Sequence, residues 1–401
     1  MSDQERPDYR IETRAILAGR GENGKSLVAP LWATSTFESD TMDESLRLAT
    51  TARVHNFYSR YGNPTVGSFE EAVAELEGAE AAQAFASGMG AVSSVVLALC
   101  SKGDHVVAQR QLYTSSALLF EGVCPRFGID VTFVDGADAG AIAAAVIPRR
   151  TVLVFVETPA NPVLQLVDLD ALGTVQGPLR VVDSTFAGPL VQRPLEHGCD
   201  LVVHSATKGL AGHNDATLGV VAGARDLIDW VWSYHTIHGA IASPYDAHNA
   251  LRGLRTLGVR VRQQSETAQR LAEWLEEQPG VVAVNYPGLD SHPQRDVAKR
   301  QMAHGGGVVS FELAGAWEAG RRFVESVKLA RIAPSLGGPE TLVTHPASTT
   351  AANLRPEERS ALGIGDGLVR LSIGLEHPDD IVADVSAGLA AADQSTTPPP
   401  L

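Results

Sequence analysis

The chain has 401 residues, 44% hydrophobic and 20% charged, a balance typical of globular proteins and a length that suits two or three domains. Its formal net charge of −15 repels phosphate backbones, so we expect no nucleic-acid partner. Cys100, Cys124 and Cys199 form no Cys-x-x-Cys pair. Their spacing predicts neither a disulfide framework nor a metal site, and it favours a cytoplasmic location.

Both ends of the chain are polar. The start, MSDQERPDYRIETRAI, is polar, which predicts no secretory signal, and no apolar stretch is long enough to span a bilayer. The end, DQSTTPPPL, is polar and proline-rich, so we expect residues 393–401 to be a disordered tail.

The first sixty or so residues mix Gly, Pro, Thr and aromatic residues and predict irregular structure. SFEEAVAELEG then predicts a helix that begins at Ser68, with Glu71 completing a capping box. Short valine-rich runs follow, with helical segments such as GMGAVSSVVLALC between them. Because these runs lack polar alternation, they predict strands buried on both faces of a mainly parallel α/β sheet. The predicted strands are 82–87, 105–109, 131–134, 151–157, 179–183, 200–205 and 218–223.

From about residue 256 the pattern changes, which predicts a second, smaller α/β domain. RVRQQSETAQRLAEWLEEQPG predicts a long amphipathic helix, and IVADVSAGLAAA predicts a last helix. Strands are expected at 307–313, 329–335 and 368–376. We therefore expect an N-terminal segment at 1–62, a large domain at 63–255 and a small domain at 256–392.

Polar side chains follow several predicted strands, where ligands bind in open parallel sheets. Ser87-Gly88-Met89-Gly90 lies at the start of a predicted helix and could bind a phosphate. The same glycine pattern is also typical of a tight strand-to-helix turn without a ligand. Tyr113 could simply pack against its neighbours or take part in catalysis. Asn161 could cap a turn or donate a hydrogen bond to a ligand. Asp183 could cap a helix, but a carboxylate that closes an apolar strand needs a partner. Lys208 follows the strand that ends in Ser205.

Together these residues predict a pyridoxal 5′-phosphate site. Lys208 would form a Schiff base with the cofactor aldehyde, and Asp183 would keep the pyridine nitrogen protonated. Tyr113 would stack on the ring, while the hydroxyls of Ser205 and Thr207 would bind the phosphate.

Three other interpretations are weaker. SATK also fits the S-x-x-K motif of serine acylating enzymes, with Ser205 as nucleophile, but the required K-T-G element is missing. A cofactor-binding transcriptional regulator would need a basic DNA-reading module, which the acidic composition argues against. His235 and His238 lack a third ligand with metal-binding geometry, so we expect no metal.

At these residues the sequence resembles the Cys/Met-metabolism family of pyridoxal-phosphate enzymes, over roughly residues 10–392. The matching segments are YSRYGNPT (58–65), SGMGA (87–91), ETPANP (157–162), the run from Val182 to Asp215, SLGGPETLVTHPAS (335–348) and GLVRLSIGLE (367–376). The resemblance implies the aspartate-aminotransferase-like fold, fold type I, with a mainly parallel seven-stranded sheet. It also implies a homotetramer built from dimers with shared active sites, in which residues 1–62 reach the neighbouring subunit.

The resemblance also assigns roles to further residues. Gly88 and Met89 join Ser205 and Thr207 at the phosphate, and Tyr58 and Arg60 reach it from the neighbouring subunit. Arg370 would bind the substrate α-carboxylate bidentately, helped by Ser335 and Asn161.

Within the family, the sequence is most similar to methionine γ-lyases, so we expect a carbon–sulfur lyase that converts L-methionine to methanethiol, 2-oxobutanoate and ammonia. Relatives that handle cystathionine often carry acids before the YSR and SLG motifs, whereas this chain has Phe57 and Pro334. Ser115 departs from the cysteine that is usual in methionine γ-lyases, and the position of a common lysine falls at His238 or Gly239. Cystathionine γ-lyase, cystathionine γ-synthase and O-acetylhomoserine sulfhydrylase activities therefore stay open.

Overall fold

The structure is a computed structural model that describes residues 9–393. The chain forms two compact units. The first comprises the chain up to Thr158 together with Val167–Val259, and the second comprises Pro159–Leu166 together with the chain from Arg260 onward. The predicted tail at 394–401 lies outside the described residues. Within residues 9–393, no helix combines the length and apolar character needed to cross a membrane.

A seven-stranded sheet forms the centre of the first unit, in the order β1-β7-β6-β5-β4-β2-β3. Only β7 runs antiparallel to its neighbours, so the predicted mainly parallel α/β fold is confirmed. The strands are β1 Ala81–Phe85, β2 His105–Gln109, β3 Asp130–Val134, β4 Thr151–Glu157, β5 Leu179–Asp183, β6 Leu201–Ser205 and β7 Gly219–Gly223.

Both faces of this sheet are buried. Val181 packs in one apolar cluster, with Leu153 and Phe155 of β4, and Val182 packs in a second cluster with Val154 of the same strand. Successive side chains of a strand point to opposite faces, so a strand covered on both sides is apolar along its whole length. This is the physical reason for the valine runs in the sequence.

Along the described chain, ten α-helices begin in the first unit. They are α1 Ile11–Leu17, α2 Met42–Thr50, α3 Pro64–Glu77, α4 Gly88–Leu99, α5 Thr114–Leu118, α6 Ala139–Ala144, α7 Leu169–Gly173, α8 Arg225–His238, α9 Pro244–Leu254 and α10 Leu257–Glu276. Helix α10 continues from the first unit into the second. Helices α1 and α2 lie where the sequence pattern predicted irregular structure.

The predicted start of α3 is wrong. The helix begins four residues before Ser68, and the side chain of Asn63 caps it by accepting a 2.9 Å hydrogen bond from the Thr65 N–H. Pro64 occupies the first helical position, where its missing N–H costs no intrahelical bond. Ser68 lies inside the helix, and its hydroxyl donates to the carbonyl of Pro64.

The second unit contains a five-stranded sheet in the order β10-β11-β12-β9-β8. All pairs are antiparallel except β10–β11. The elements are β8 Val281–Asn285, α11 Arg295–Gln301, β9 Val308–Leu313, α12 Ala316–Ser326, β10 Arg331–Ile332, β11 Leu342–Thr344, α13 Pro356–Ala361, β12 Leu368–Ser372 and α14 Pro378–Ala392. The strand predicted at 329–335 shortens to β10, because Pro334 cannot donate to a ladder and Ser335 has a φ of 97°.

Candidate active site

The first turn of α4 lies against the end of β6. Ser87 caps α4 by accepting a 3.0 Å hydrogen bond from the Gly90 N–H. A Cβ atom built on Gly88 would lie 2.7 Å from Cβ of Ser205, so only glycine lets the two backbones approach this closely. The N-terminus of a twelve-residue helix therefore lies beside a serine hydroxyl, an arrangement that suits a phosphate group.

Asp183, at the end of β5, is 8% exposed and tied to the end of β6 through Thr185. Its Oδ1 atom accepts hydrogen bonds from the hydroxyl of Thr185 at 2.5 Å and from the Thr185 N–H at 3.0 Å. The same hydroxyl oxygen accepts a 2.8 Å hydrogen bond from the Ser205 N–H. Burial raises the pKa of the Asp183 carboxyl, and the two bonds from Thr185 oppose that rise. Sequence reasoning did not identify Thr185.

Lys208 lies in a turn that follows β6. Its N–H donates to the carbonyl of Ser205, and its own carbonyl accepts from the Gly212 N–H at 2.8 Å. The neighbouring Thr207 is held by Leu218, because its hydroxyl donates to the Leu218 carbonyl and accepts from the Leu218 N–H. The Thr207 hydroxyl must therefore exchange its Leu218 carbonyl for a phosphate oxygen if it is to donate to a phosphate.

Tyr113 precedes α5, and its side chain is 44% exposed. Its backbone N–H donates a 2.6 Å hydrogen bond to Oε2 of Glu157, which is 3% exposed at the end of β4. The N–H of Glu157 in turn donates to Oε1 of the buried Gln109. Glu157 thus fixes the backbone of Tyr113. Sequence reasoning did not identify Glu157; the signal that could have found it is a carboxylate that closes an apolar strand, as Asp183 does on the paired strand.

Tyr58 and Arg60 lie on a loop of the first unit, close to α8. The guanidinium of Arg60 donates a 2.9 Å hydrogen bond to the carbonyl of Thr236, and it lies over the rings of Tyr58 and Tyr61. Trp232 donates from its indole N–H to the Tyr61 carbonyl. The side chain of Tyr58 is 41% exposed.

In the second unit, Arg370 brings together the other predicted site residues. Arg370, on β12, is 5% exposed, and its Nη1 donates a 2.6 Å hydrogen bond to Oδ1 of Asn161. Its Nη2 donates a 3.0 Å hydrogen bond to the carbonyl of Ser335. Both of these acceptors are neutral, and a guanidinium has the geometry to bind a carboxylate bidentately.

The side chains of the first unit fit pyridoxal phosphate. A helix N-terminus and Ser205 suit its phosphate, the buried carboxylate of Asp183 suits a protonated pyridine nitrogen, and Lys208 supplies an amine three residues after Ser205. The closeness of Gly88 to Ser205 is the observation that favours a phosphate cradle over an ordinary turn.

Comparisons with known proteins agree with this fit. The sequence profile described as Cys/Met metabolism PLP-dependent enzyme matches residues 12–390. The chain is 43% identical to L-methionine gamma-lyase of Pseudomonas putida, over 95% of this chain and 97% of that one. It is 42% identical to O-succinylhomoserine sulfhydrylase of Pseudomonas aeruginosa, over 95% of each chain.

A solved structure shares the fold. The crystal structure of metB from Corynebacterium glutamicum superposes with a TM-score of 0.89 at 35% identity, covering 96% of this chain and 98% of that one. The chain therefore belongs to the pyridoxal-phosphate-dependent Cys/Met-metabolism enzymes, and pyridoxal phosphate is its cofactor.

Proposed function

We propose that this enzyme catalyses γ-elimination from L-methionine, which with one water gives methanethiol, 2-oxobutanoate and ammonia. The observation that carries the proposal is the apolar character of Phe57 and Pro334. Cystathionine carries a distal amino group that calls for an acidic partner, whereas the methylthio group of methionine needs only apolar surface. The similarity to several methionine gamma-lyases, such as that of Porphyromonas gingivalis at 43% identity, supports the same choice.

The proposed roles follow from the chemistry of each side chain. Bound pyridoxal phosphate supplies an electron-withdrawing ring that stabilises negative charge at the substrate α-carbon. Nζ of Lys208 removes the proton from the α-carbon and later transfers a proton away from the β-carbon. The phenol of Tyr113 donates a proton to the departing sulfur, and Asp183 keeps the ring nitrogen protonated. Arg370 binds the α-carboxylate, with Asn161 and Ser335 holding its guanidinium in place.

The residues proposed to bind the cofactor phosphate all belong to the first unit. The N-terminus of α4 at Gly88 and Met89 binds phosphate oxygens together with Ser205 and Thr207. Tyr58 and Arg60 complete the phosphate site of a neighbouring subunit in a cytoplasmic homotetramer. Mixing Lys208→Ala with Arg60→Ala tests this sharing, because a mixed dimer contains one site with both residues intact. Recovery of activity in the mixture supports shared sites, and no recovery contradicts them.

A second candidate is replacement at the γ-carbon. Here the γ-substituent leaves, the sulfur of a thiol loses its proton and bonds to the γ-carbon, and no 2-oxobutanoate or ammonia is released. Ser115 favours this candidate, because it stands where methionine γ-lyases usually carry cysteine. The similarity to O-succinylhomoserine sulfhydrylase is as strong as that to the lyases.

Product analysis separates the candidates. The purified holoenzyme is incubated separately with L-methionine, L-cystathionine, O-acetyl-L-homoserine and O-succinyl-L-homoserine, each with and without added sulfide. The proposal expects 2-oxobutanoate and methanethiol in equal amounts from methionine. Rapid turnover of cystathionine or of an acylated homoserine, with no thiol released from methionine, would overturn it. Lys208→Ala serves as the background control in every reaction.

A further inference from the structure

The loop that carries Tyr58 and Arg60 closes on itself at its base. A Cβ atom built on Gly62 would lie 2.5 Å from the carbonyl oxygen of Val54, so the two ends of the 54–62 loop are in contact. A loop of this length whose ends meet forms a compact unit on the protein surface. Tyr58 and Arg60 lie between the two ends, and both are exposed. The position of the loop base therefore determines where these two side chains stand.

The imidazole of His55 fills the base of this loop. A Cβ atom built on Gly62 would lie 2.8 Å from Cδ2 of the ring. A Cβ atom built on Gly67, in α3, would overlap Cε1 and Nδ1 of the same ring. A larger residue at either position would therefore displace the ring, because only glycine allows so close an approach to its backbone. Two glycines leave the space that His55 occupies.

The ring of His55 is neutral and is held by packing. The side chain is 25% exposed, and its Nε2 atom lies 3.8 Å from Oε2 of Glu70, which is too far for a hydrogen bond. Burial and the nearby guanidinium of Arg53 lower the pKa of His55 to about 4, so the ring carries no charge at neutral pH. A neutral ring fills the space beside the two glycines without the desolvation cost of a buried charge.

Helix α3 gives this contact a fixed support. Gly67 lies in the first half of the helix, whose start is capped by Asn63. Glu70, three residues further on, is buried, and its Oε1 atom accepts 2.7 Å hydrogen bonds from the Gln83 side chain and from the Ala84 N–H of β1. The helix is thus bonded to the large sheet. Through the ring of His55, the base of the loop is connected to the same sheet.

The outer part of the loop has separate supports. The indole N–H of Trp232 donates a 2.8 Å hydrogen bond to the Tyr61 carbonyl, and Nη1 of Arg60 donates a 2.9 Å hydrogen bond to the Thr236 carbonyl. Both bonds attach the loop to α8 and not to α3. Loss of the His55 ring would therefore free the base of the loop while these outer contacts stay in place.

We propose that His55 is a positioning residue for the cofactor phosphate of the neighbouring subunit. Its ring, seated against two glycines, fixes the base of the loop that presents Tyr58 and Arg60. In this role His55 contacts neither cofactor nor substrate and acts through the 54–62 loop. The inference rests on the proposed sharing of phosphate sites between subunits. It does not depend on which sulfur amino acid is the substrate.

The test mixes subunits, because a loop that serves the neighbouring site causes a defect that the neighbour can repair. His55→Ala has an intact lysine and a displaced loop, whereas Lys208→Ala has an intact loop and no lysine. Co-expression of the two variants with different affinity tags yields a mixed enzyme in which one site of each mixed dimer is complete. We expect this mixture to recover activity that neither variant has alone, as we expect for Arg60→Ala mixed with Lys208→Ala.

Cofactor binding and hydrogen exchange give readouts that do not depend on activity. In His55→Ala alone, the affinity for pyridoxal phosphate should fall roughly ten- to hundredfold, the effect of losing one hydrogen bond to a charged group. The backbone amides of the 54–62 loop should exchange faster with deuterium in the holoenzyme. His105→Ala is the matched control, because His105 is a buried imidazole of the first unit, bonded to the hydroxyls of Thr151 and Thr132. It should change neither reading, even where it lowers the melting temperature.

Two outcomes would overturn the inference. Unchanged cofactor affinity and loop exchange in His55→Ala would show that the ring does not position the loop. Recovery in the Arg60→Ala mixture without recovery in the His55→Ala mixture would mean that the defect stays within its own subunit, while the shared site itself would stand. No recovery in either mixture would contradict the sharing of sites and this inference with it.

Gly67→Ala keeps the test decisive where His55→Ala fails to fold. The added methyl group displaces the ring and leaves the sequence of the loop unchanged. We expect the same loss of cofactor affinity, the same faster exchange in the loop and the same recovery in a mixture with Lys208→Ala. Gly122→Ala, whose added carbon meets no atom within 4 Å, should change none of these readings. Cofactor affinity and loop exchange that are equal in the two glycine variants would contradict the proposed role of His55.

Discussion

Gly88 and Ser205 lie so close that a methyl group on the glycine would meet Cβ of the serine at 2.7 Å. Gly88 is the first residue of α4, and Ser205 is the last residue of β6. The packing of α4 on the sheet brings them together. Their approach places the helix N-terminus beside the serine hydroxyl. The size of one side chain therefore shapes the region that we propose binds the cofactor phosphate.

Gly88→Ala should weaken cofactor binding and lower stability. The added carbon requires a backbone shift, and overpacking of this kind costs about 1–3 kcal/mol. Calorimetry measures the loss of stability, and visible absorbance after gel filtration measures bound cofactor. Gly122→Ala is the matched control, because its added carbon meets no atom within 4 Å. Equal cofactor content in both variants would contradict the steric argument.

Thr185→Val should shift the acidic limb of the activity profile to higher pH. The variant removes the donated hydroxyl bond to Asp183, so the pKa of that carboxyl rises further above its ordinary range. It also leaves the Ser205 N–H without its acceptor, at a cost of about 1–3 kcal/mol. Thr185→Ser keeps the hydroxyl and should restore the profile. A profile unchanged in Thr185→Val would show that Asp183 does not depend on this bond.

Arg370→Lys should raise KM much more than it lowers kcat. Lysine cannot reproduce the planar fork that binds a carboxylate bidentately. The loss of one charged hydrogen bond, about 1.5–3 kcal/mol, corresponds to roughly ten- to hundredfold in KM. Steady-state kinetics with the preferred substrate measures this split. Arg331→Lys, a change at an exposed position of the same sheet, should leave both constants unaltered. If KM rose in that control and not in Arg370→Lys, the carboxylate-binding role of Arg370 would be wrong.

Glu70→Gln should change how stability depends on pH. Burial raises the pKa of Glu70 from 4.5 to about 7, so the carboxyl stays protonated when folded at pH values where it ionises in the unfolded chain. The stability that this pKa shift contributes is fully present below about pH 4.5 and is lost as pH rises through about 7. The free energy of unfolding falls by up to about 3 kcal/mol over that range.

The amide of Glu70→Gln carries no titrating proton and can still accept from the Ala84 N–H and the Gln83 side chain. Its stability relative to the unchanged protein should therefore increase between pH 5 and pH 8. Denaturant unfolding at both pH values checks this. Glu121→Gln, an exposed change, should show no such trend, and a flat difference for Glu70→Gln would mean that the carboxyl does not titrate in this range.

Apart from the grouping of Asn161 and Ser335 with Arg370, which the family resemblance implied, the contacts that build the second unit were beyond sequence reasoning. Asn161 bonds Arg370 across 209 positions, the hydroxyl of Ser310 donates to the Pro162 carbonyl, and Gln294 accepts from the Leu166 N–H. Residues 159–166 thus belong to the second unit although their neighbours on both sides belong to the first. No local pattern carries that information, because each bond joins segments that are distant in the chain.

The sequence alone determined the strands of the large sheet and the convergence of Asp183 and Lys208 on one edge. Strands buried on both faces must be apolar throughout, and parallel strands bring their carboxyl ends to the same side. Only the tertiary structure decided which groups hold the predicted site residues in place: Thr185 at Asp183 and Glu157 at Tyr113. A hydrogen-bond partner is chosen by distance in space, and that distance exists only once the helices have packed on the sheet.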